Sequence, residues 1–163
     1  MNKSKNIAFC GVFAALAVVV MCLGGFLPFM TYVCPMISIL LCGFVYNFAG
    51  KTSAVCWYIS VVILSLLLCP DKEAAILYSF LGYYPIIKSQ IDKMRFKWLI
   101  KILFFNAIIV SLYWLLMNII GVTELINEFS SMGTVMIAFM LLVGNFIFFM
   151  LDRLLERMSQ KWK

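Results

Sequence analysis

Six long apolar runs, separated by short polar or glycine- and proline-containing breaks, occupy most of the 163-residue chain. Each approaches or reaches the roughly 17–25 residues that cross a bilayer as an α-helix. Because backbone N–H and C=O groups find no water inside a membrane, such runs fold there as helices. The sequence therefore predicts an all-α, polytopic membrane protein with one transmembrane domain over residues 1–163. The predicted spans lie at about 7–27, 31–49, 53–69, 73–88, 98–120 and 132–151.

The composition agrees with a membrane protein. The chain is 65% hydrophobic and only 12% charged, whereas a soluble domain carries about 25% charged residues. The first run is longer than the apolar core of a secretory signal, and its Gly-Gly-Phe-Leu-Pro end lacks a small-residue cleavage site. We therefore expect the first run to remain in the protein as a span.

The breaks between the runs carry residues that end or begin helices. Gly50-Lys51 separates the second predicted span from the third, and Pro70 stops the third. Asp71 is a suitable N-cap for the fourth span. Because Gly82 and Pro85 lie inside the fourth and shortest span, this span is expected to be kinked or tilted.

The basic residues predict an orientation for this map. With the N-terminus in the cytoplasm, Lys72 is the single Lys or Arg in the outer loops, and twelve lie on the inner side. An excess of Lys and Arg marks the cytoplasmic side of a membrane protein. We therefore predict that both termini are cytoplasmic, and we interpret the net charge of +6 as facing anionic lipid, with no nucleic acid partner. The twelve are Lys3, Lys5, Lys51, Lys88, Lys93, Arg95, Lys97, Lys101, Arg153, Arg157, Lys161 and Lys163.

Several kinds of chemistry have no sequence motif in this chain. It contains no histidine and no C-x-x-C pair, so no metal site is predicted. No charged residue lies in the middle of a predicted span, where proton-coupled carriers keep ionisable groups. A phosphate-binding G-x-x-x-x-G-K-[ST] motif is also missing. We expect no enzyme and no cofactor, and any uphill transport must draw its energy from a partner.

The six cysteines fall mostly inside predicted spans, where cysteine behaves as a small apolar residue. Cys34 and Cys69 both lie toward the predicted outer face. The sequence leaves open whether these two form a disulfide, because pairing depends on geometry.

A face of small residues lies on the first predicted span. Ala8, Gly11 and Ala15 are spaced i, i+3 and i+7, which places them on one side of a helix. Small faces let helices approach closely in lipid. Two interpretations stay open, namely packing within this chain's own bundle and docking of another membrane subunit.

A semi-polar stripe lies on the fifth predicted span. Ala107, Ser111, Trp114 and Asn118 are separated by four, three and four residues, so they share one helix face. Polar side chains within a span normally face a neighbouring helix or a cavity. The stripe is therefore either a packing surface or a wall of a ligand site, for which the indole and the amide are suited.

The segment Asp71-Lys72-Glu73 places three charges at the predicted outer end of span four. Acidic residues stabilise a helix N-terminus, so the segment is either a solvated helix cap or the rim of a ligand site. We predict an outward-facing site for a small, partly planar, polar molecule. Its residues are Lys72, Glu73, Tyr78, Trp114 and Asn118.

Two further features are assigned to the predicted inner membrane surface. The C-terminal stretch LDRLLERMSQKWK is basic and amphipathic, as expected of a helix that rests on the membrane. Five aromatic residues are interpreted as an interfacial belt. These are Trp57, Tyr58, Tyr83, Tyr84 and Trp98.

These features together resemble a known family. Six short spans, both termini inside, a small-residue face on span one and no ATP-binding motif look like the substrate-binding S component of energy-coupling factor (ECF) importers. The run PDKEAAILYSFLGYYPIIK also resembles a string in small membrane proteins of Gram-positive bacteria. The family's alanine-x-x-x-alanine docking pattern appears here as Gly11-Val-Phe-Ala-Ala15.

The resemblance implies a function in the bacterial cell membrane. It implies capture of a vitamin-like solute near the outer face and docking through span one on a transmembrane coupling subunit with a pair of ATPases. The lack of histidine argues against the nickel and cobalt branches of the family. Other functions stay open, namely a non-transport scaffold or accessory subunit, or a lipid-handling protein, none of which binds a solute.

Overall fold

The computed structural model describes residues 3–24, 30–92, 96–115 and 134–161. These ranges contain helices and no strand, so the predicted all-α class is confirmed. The helices are α1 Lys3–Leu23, α2 Met30–Leu68, α3 Lys72–Leu81, α4 Tyr84–Ile91, α5 Lys97–Leu115 and α6 Thr134–Lys161.

The first two helices are long and apolar enough to cross a membrane. In their most apolar windows, only 17% of the residues of α1 and 22% of those of α2 are buried. A core helix of a soluble protein would bury most of such a window, because exposed apolar surface in water is unfavourable. Their exposure supports association of the protein with a membrane.

A break at Gly50 divides α2 into two segments, 30–49 and 51–68. Gly50 has φ 83° and ψ 175°, outside helical geometry. Glycine adopts positive φ readily because it has no Cβ, whereas other residues are strained there. The helix break predicted at Gly50-Lys51 is therefore present.

The two ends of α2 lie close to each other. The Tyr32 hydroxyl donates to Glu73 Oε1 at 3.2 Å, and Lys72 Nζ donates to the Leu66 carbonyl oxygen at 2.8 Å. A straight helix of 39 residues would hold its ends about 58 Å apart. Since both ends contact adjacent residues of α3, α2 must fold back on itself at Gly50.

The fourth predicted span forms two short helices, α3 and α4. The Asp71 side chain caps α3 by accepting from the Ala74 amide at 3.1 Å, as predicted from the sequence. Gly82 follows the end of α3, and Pro85 lies in the first turn of α4, where its missing N–H removes no helical hydrogen bond. The predicted kink is therefore present as a short break at Gly82 and Tyr83, which keep right-handed backbone angles.

Long-range contacts define two ends of the described bundle. The Cys69 end is where Cys22 contacts Cys69 and where the two ends of α2 meet α3. The Asp152 end is where α4, α5 and α6 meet at Asp152 and where Tyr46 lies near Ser89. From α1 to the start of α5 the chain runs alternately between these ends, with 30–49 and 51–68 as separate passes and α3 with α4 as one pass.

Aromatic rings pack α1 against the first segment of α2. The Phe13 and Phe44 rings are stacked with centroids 5.4 Å apart, and the Phe9 and Phe48 centroids are also 5.4 Å apart. Aromatic pairs at these distances stabilise a contact beyond simple burial. They hold one side of α1 to α2 and leave its other side facing outward.

Polar and aromatic pairs join α5 to α6. The side-chain amides of Asn106 and Asn145 donate to each other, with both N–O distances at 3.2 Å. Phe105 and Phe148 stack in the same interface, with ring centroids 4.7 Å apart. Reciprocal amide pairs satisfy groups that lipid would leave without a partner.

Candidate functional site

A buried ion cluster at the Asp152 end joins three helices. Lys88 of α4 donates to the Asp152 carboxylate and, at 2.6 Å, to its main-chain carbonyl oxygen. Lys101 of α5 donates to Asp152 Oδ2 at 2.8 Å, and the Tyr84 hydroxyl donates to Oδ1 at 2.6 Å. The two lysines and the aspartate are each at most 9% exposed. Asp152 of α6 is thus the common acceptor of α4 and α5.

The charges of this cluster are balanced. Lys101 also forms an ion pair with Asp92, at 2.6 Å, so two lysines face two aspartates. Burial acts to raise the pKa of Asp152, but hydrogen bonds from Lys101, Lys88 and Tyr84 outweigh it and hold that pKa below its ordinary value. Asp152 therefore stays ionised at neutral pH, where it stabilises the packing of the helices and has no proton to donate.

Local sequence explains how α4 contributes two donors. Tyr84 and Lys88 are four residues apart, so they lie on one face of the helix. Pro85 fixes the start of α4 and so the direction of that face. Lys101 lies in the first turns of α5, where the chain has just returned to the same end.

A cleft of about 220 Å³ with both polar and apolar walls opens beside the ion cluster. Its walls include Tyr46 and Asn47 of α2, Ser89 of α4, and Glu156 and Gln160 of α6. Hydroxyl, amide and carboxylate groups of this kind can bind a small polar molecule by hydrogen bonds. Within the part of the chain that the structure describes, no three His, Cys, Asp or Glu residues are grouped as a metal site.

Lys72 and Glu73 of the predicted ligand site contact α2. Lys72 donates to the Leu66 carbonyl oxygen near the C-terminus of α2, and Glu73 accepts from Tyr32. Basic side chains near a helix C-terminus can donate hydrogen bonds to the last carbonyl groups, which have no donor within the helix. Both residues lie at the Cys69 end, and their contact with a ligand stays a prediction.

Tyr78 and Trp114 occupy different environments. The Tyr78 side chain is fully buried, its ring centroid lies 6.0 Å from that of Tyr58, and its hydroxyl makes no hydrogen bond in the described structure. Trp114 is 62% exposed. The structure therefore does not place these two side chains on a common wall, although α3 and α5 are in contact.

The predicted stripe of α5 lies on its exposed side. Ala107 and Ser111 are exposed, as is Trp114, whereas Ile108 and Leu112 form the buried face. Asn118 lies outside the described residues. The described part of the stripe is thus turned away from the core of the described bundle.

The small-residue face of α1 is uncovered. Ala8, Gly11 and Ala15 are all exposed. A Cβ added at Gly11 would meet no atom within 4 Å. The described helices thus leave this face free of packing, and the docking role assigned to it stays a prediction.

Cys69 lies against a different cysteine from the one considered from sequence. Its Sγ is 3.3 Å from Cys22 Sγ, whereas Cys34 packs near Gly24. The sequence placed Cys34 and Cys69 at the same end of the bundle, which is correct. Nothing in the sequence selects Cys22. The direction in which the last turn of α1 points its side chains is fixed only when the helices pack.

The ion cluster was missed by sequence reasoning. Lys88 and Lys101 were interpreted only as orienting charges, and Tyr84 as part of an interfacial belt. The belt interpretation is wrong for Trp57 and Tyr84, which are 3% and 1% exposed and belong to the core. An aspartate in the last helix, Asp152, close to the predicted end of a span and facing an excess of lysine, was the available signal.

Comparison of the chain with protein-family models, with curated proteins and with solved structures finds no match.

Proposed function

We propose that the chain crosses the membrane six times with both termini in the cytoplasm. The six passes are α1, the two segments of α2, α3 with α4, α5, and α6. The alternation of the chain between the two ends of the bundle supports this topology, as does the twelve-to-one distribution of Lys and Arg. The Asp152 end then faces the cytoplasm, and the Cys69 end faces the outside.

Within this topology, the function that the geometry supports best is a substrate-binding subunit of an ATP-driven micronutrient importer. Such a subunit captures a small vitamin-like solute at the outer face and docks on a separate energising module. That module is a transmembrane coupling subunit with a pair of ATPases. The chain itself carries no phosphate-binding motif, so the energy for uptake has to come from these partners.

The uncovered small-residue face of α1 carries the proposal. Glycine in a helix costs about 1 kcal/mol relative to alanine, and among the described residues no neighbour of Gly11 requires its small size. In lipid, helices associate through close packing at small residues. Burial of apolar surface does not stabilise the pair there, because the lipid tails are apolar as well. Ala8, Gly11 and Ala15 together form a surface suited to the backbone of a partner helix.

Tyr78 supports the solute part of the proposal. A buried hydroxyl without a hydrogen bond costs free energy, and this cost is removed when a bound molecule accepts a hydrogen bond from that hydroxyl or donates one to it. The residue is one of the predicted site residues, and α3, which carries it, begins at the Cys69 end. A small, partly planar solute with a polar group suits a position beside the Tyr58 and Tyr78 rings.

The docking test compares leucine substitutions at small residues and at a larger residue on the exposed side of α1. Gly11→Leu and Ala15→Leu should abolish co-purification with the coupling subunit and its ATPases, because leucine prevents close approach of a partner helix. Val12→Leu is the matched control, since Val12 is exposed and already apolar. All three variants should melt at or above the wild-type temperature, because the positions are exposed and leucine favours a helix more than glycine does.

Two outcomes would contradict the docking proposal. One is a wild-type chain that, purified from its own membrane with mild detergent, carries neither the coupling subunit nor ATPases. The other is retention of these partners by both the Gly11→Leu and the Ala15→Leu proteins.

A further inference from the structure

We propose that Cys22 and Cys69 are a dithiol site that closes to a disulfide on reaction with a disulfide-donating oxidant. The two thiols are 47 residues apart in sequence, yet their sulfur atoms are 3.3 Å apart. Cys22 lies in the last turn of α1, and Cys69 follows the last residue of α2. A disulfide between them would therefore link the C-terminal end of α1 to the C-terminal end of α2.

The surroundings hold the two sulfur atoms together. Met21, next to Cys22, is fully buried, and Cys69 itself is almost fully buried. The Cys69 amide also donates to the Ser65 carbonyl oxygen at 3.0 Å, which fixes its backbone to the end of α2. Side chains restrained in this way meet at high effective concentration, which favours an intramolecular reaction.

The difference in exposure sets the order of the reaction. Cys22 is half-buried and Cys69 is buried, so an oxidant reaches Cys22 first. The Cys22 thiolate attacks one sulfur of the oxidant disulfide, forming a mixed disulfide and releasing one thiolate. The Cys69 thiolate then attacks the Cys22 sulfur and expels the second thiolate. Two protein thiols are oxidised to one disulfide, the oxidant is reduced to two thiols, and the two cysteine protons pass to the released thiolates.

Closure of the pair would fix α1 to the junction between α2 and α3. The same helix bears Ala8, Gly11 and Ala15, so the disulfide would restrict the motion of the helix that carries the docking face. This consequence rests on the proposed function, whereas formation of the disulfide does not.

The experiment uses the full-length protein in detergent, with dipyridyl disulfide as the oxidant. The parent protein is Cys56→Ala, which removes an exposed thiol and leaves Cys69 as the only cysteine of residues 52–72. Cleavage after methionine and with trypsin gives the fragment 22–30, which contains Cys22 alone. Cys34 is recovered separately in residues 31–36, so mass spectrometry identifies each pairing without ambiguity.

One molar equivalent of oxidant should join residues 22–30 to 52–72 in the parent and release two thiopyridone molecules per linked chain. Adding Cys69→Ala should abolish the linked fragment, stop release at one thiopyridone, and leave the pyridyl adduct on Cys22. Adding Cys22→Ala should also abolish the link. The melting temperature of each variant is measured alongside, and the parent alone decides the pairing if a variant unfolds.

The proposal is overturned if residues 52–72 link to 31–36 instead, since Cys34 would then be the partner of Cys69. It is equally overturned if Cys22 in the folded parent keeps the pyridyl adduct and no linked fragment forms. Neither result depends on a coupling subunit or a solute, so failure here is distinct from failure of the proposed function.

Discussion

The ammonium group of Lys88 donates to both the carboxylate and the main-chain carbonyl oxygen of Asp152, a residue 64 positions later in the chain. One side chain of α4 is thereby fixed to the backbone and the side chain of α6 together. Lys101 occupies the other carboxylate oxygen. Because Lys88, Lys101 and Asp152 are buried, removing Asp152 leaves Lys88 without a charge partner and leaves Lys101 with Asp92 alone.

Asp152→Ala should destabilise the protein by about 3–5 kcal/mol, because Lys88 and Lys101 lose their common buried acceptor. Thermal or denaturant unfolding in detergent measures the effect. Glu156→Ala is the control, since Glu156 lies one turn later on α6 and is exposed. The free energy of unfolding of this variant should stay within about 0.5 kcal/mol of the wild-type value. Equal losses in the two variants would show that the cluster does not stabilise the bundle.

The stability of the wild-type protein should fall in acid in a manner that depends on Asp152. Its pKa in the folded protein lies below the value of about 3.9 expected for an unfolded chain. The stabilisation is therefore complete above that unfolded value and is lost as the pH falls through the folded pKa. The melting temperatures of wild type and Asp152→Asn should keep a constant difference from pH 7 to about 4 and should converge as the pH falls further. Curves that stay parallel well below pH 4 would exclude Asp152 as the group that titrates.

Gly50→Ala should destabilise the fold by about 1–3 kcal/mol, because alanine is strained at the positive φ of this residue. Gly11→Ala is the matched control. Gly11 is helical and its new Cβ meets no atom within 4 Å, so alanine there should be neutral or stabilising by up to about 1 kcal/mol. Unfolding curves of the two variants test the difference, and a neutral Gly50→Ala protein would argue against the backbone strain inferred here.

A solute that raises the melting temperature should be found by screening vitamins and nucleobase-like compounds. Tyr78→Phe removes only the unpaired hydroxyl, so the unliganded protein should be at least as stable as the wild type. The rise in melting temperature that the solute causes should be smaller in this variant. Lys72→Ala, if Lys72 contacts the solute, should weaken binding roughly tenfold to hundredfold. Tyr83→Phe is the control for loss of a tyrosine hydroxyl. The solute site is refuted if no compound stabilises the wild type, or if Tyr78→Phe responds as the wild type does.

Local backbone chemistry accounts for the parts of the fold that could be predicted. The break at Gly50, the Asp71 cap and the interruption at Gly82 depend on residues within a few positions of each other. Glycine, proline and capping side chains act through their own backbone, so their effects can be inferred without knowing which helices are neighbours.

Contacts between distant helices could not be predicted in the same way. Lys88 is interpreted from sequence as an orienting charge, because charge bias predicts a side of the membrane for it but not the helix face opposite it. Whether Trp114 faces the core depends on the rotation of α5, which Ile108 and Leu112 determine by packing inward. Cys22 and Cys69 meet for the same reason, since the approach of α1 to the end of α2 depends on all the side chains between them.

The reversal of α2 at Gly50 bears on how the chain would be made. Helical residues continue up to both sides of this single glycine, so there is no connecting loop between 49 and 51 that could be threaded across a bilayer. In the proposed six-pass topology, the two segments would leave the translocon as one hairpin, with Lys51 at its cytoplasmic tip. A reporter or epitope inserted at Gly50 would therefore disturb insertion itself, and fusions that report topology belong after the C-terminal lysine.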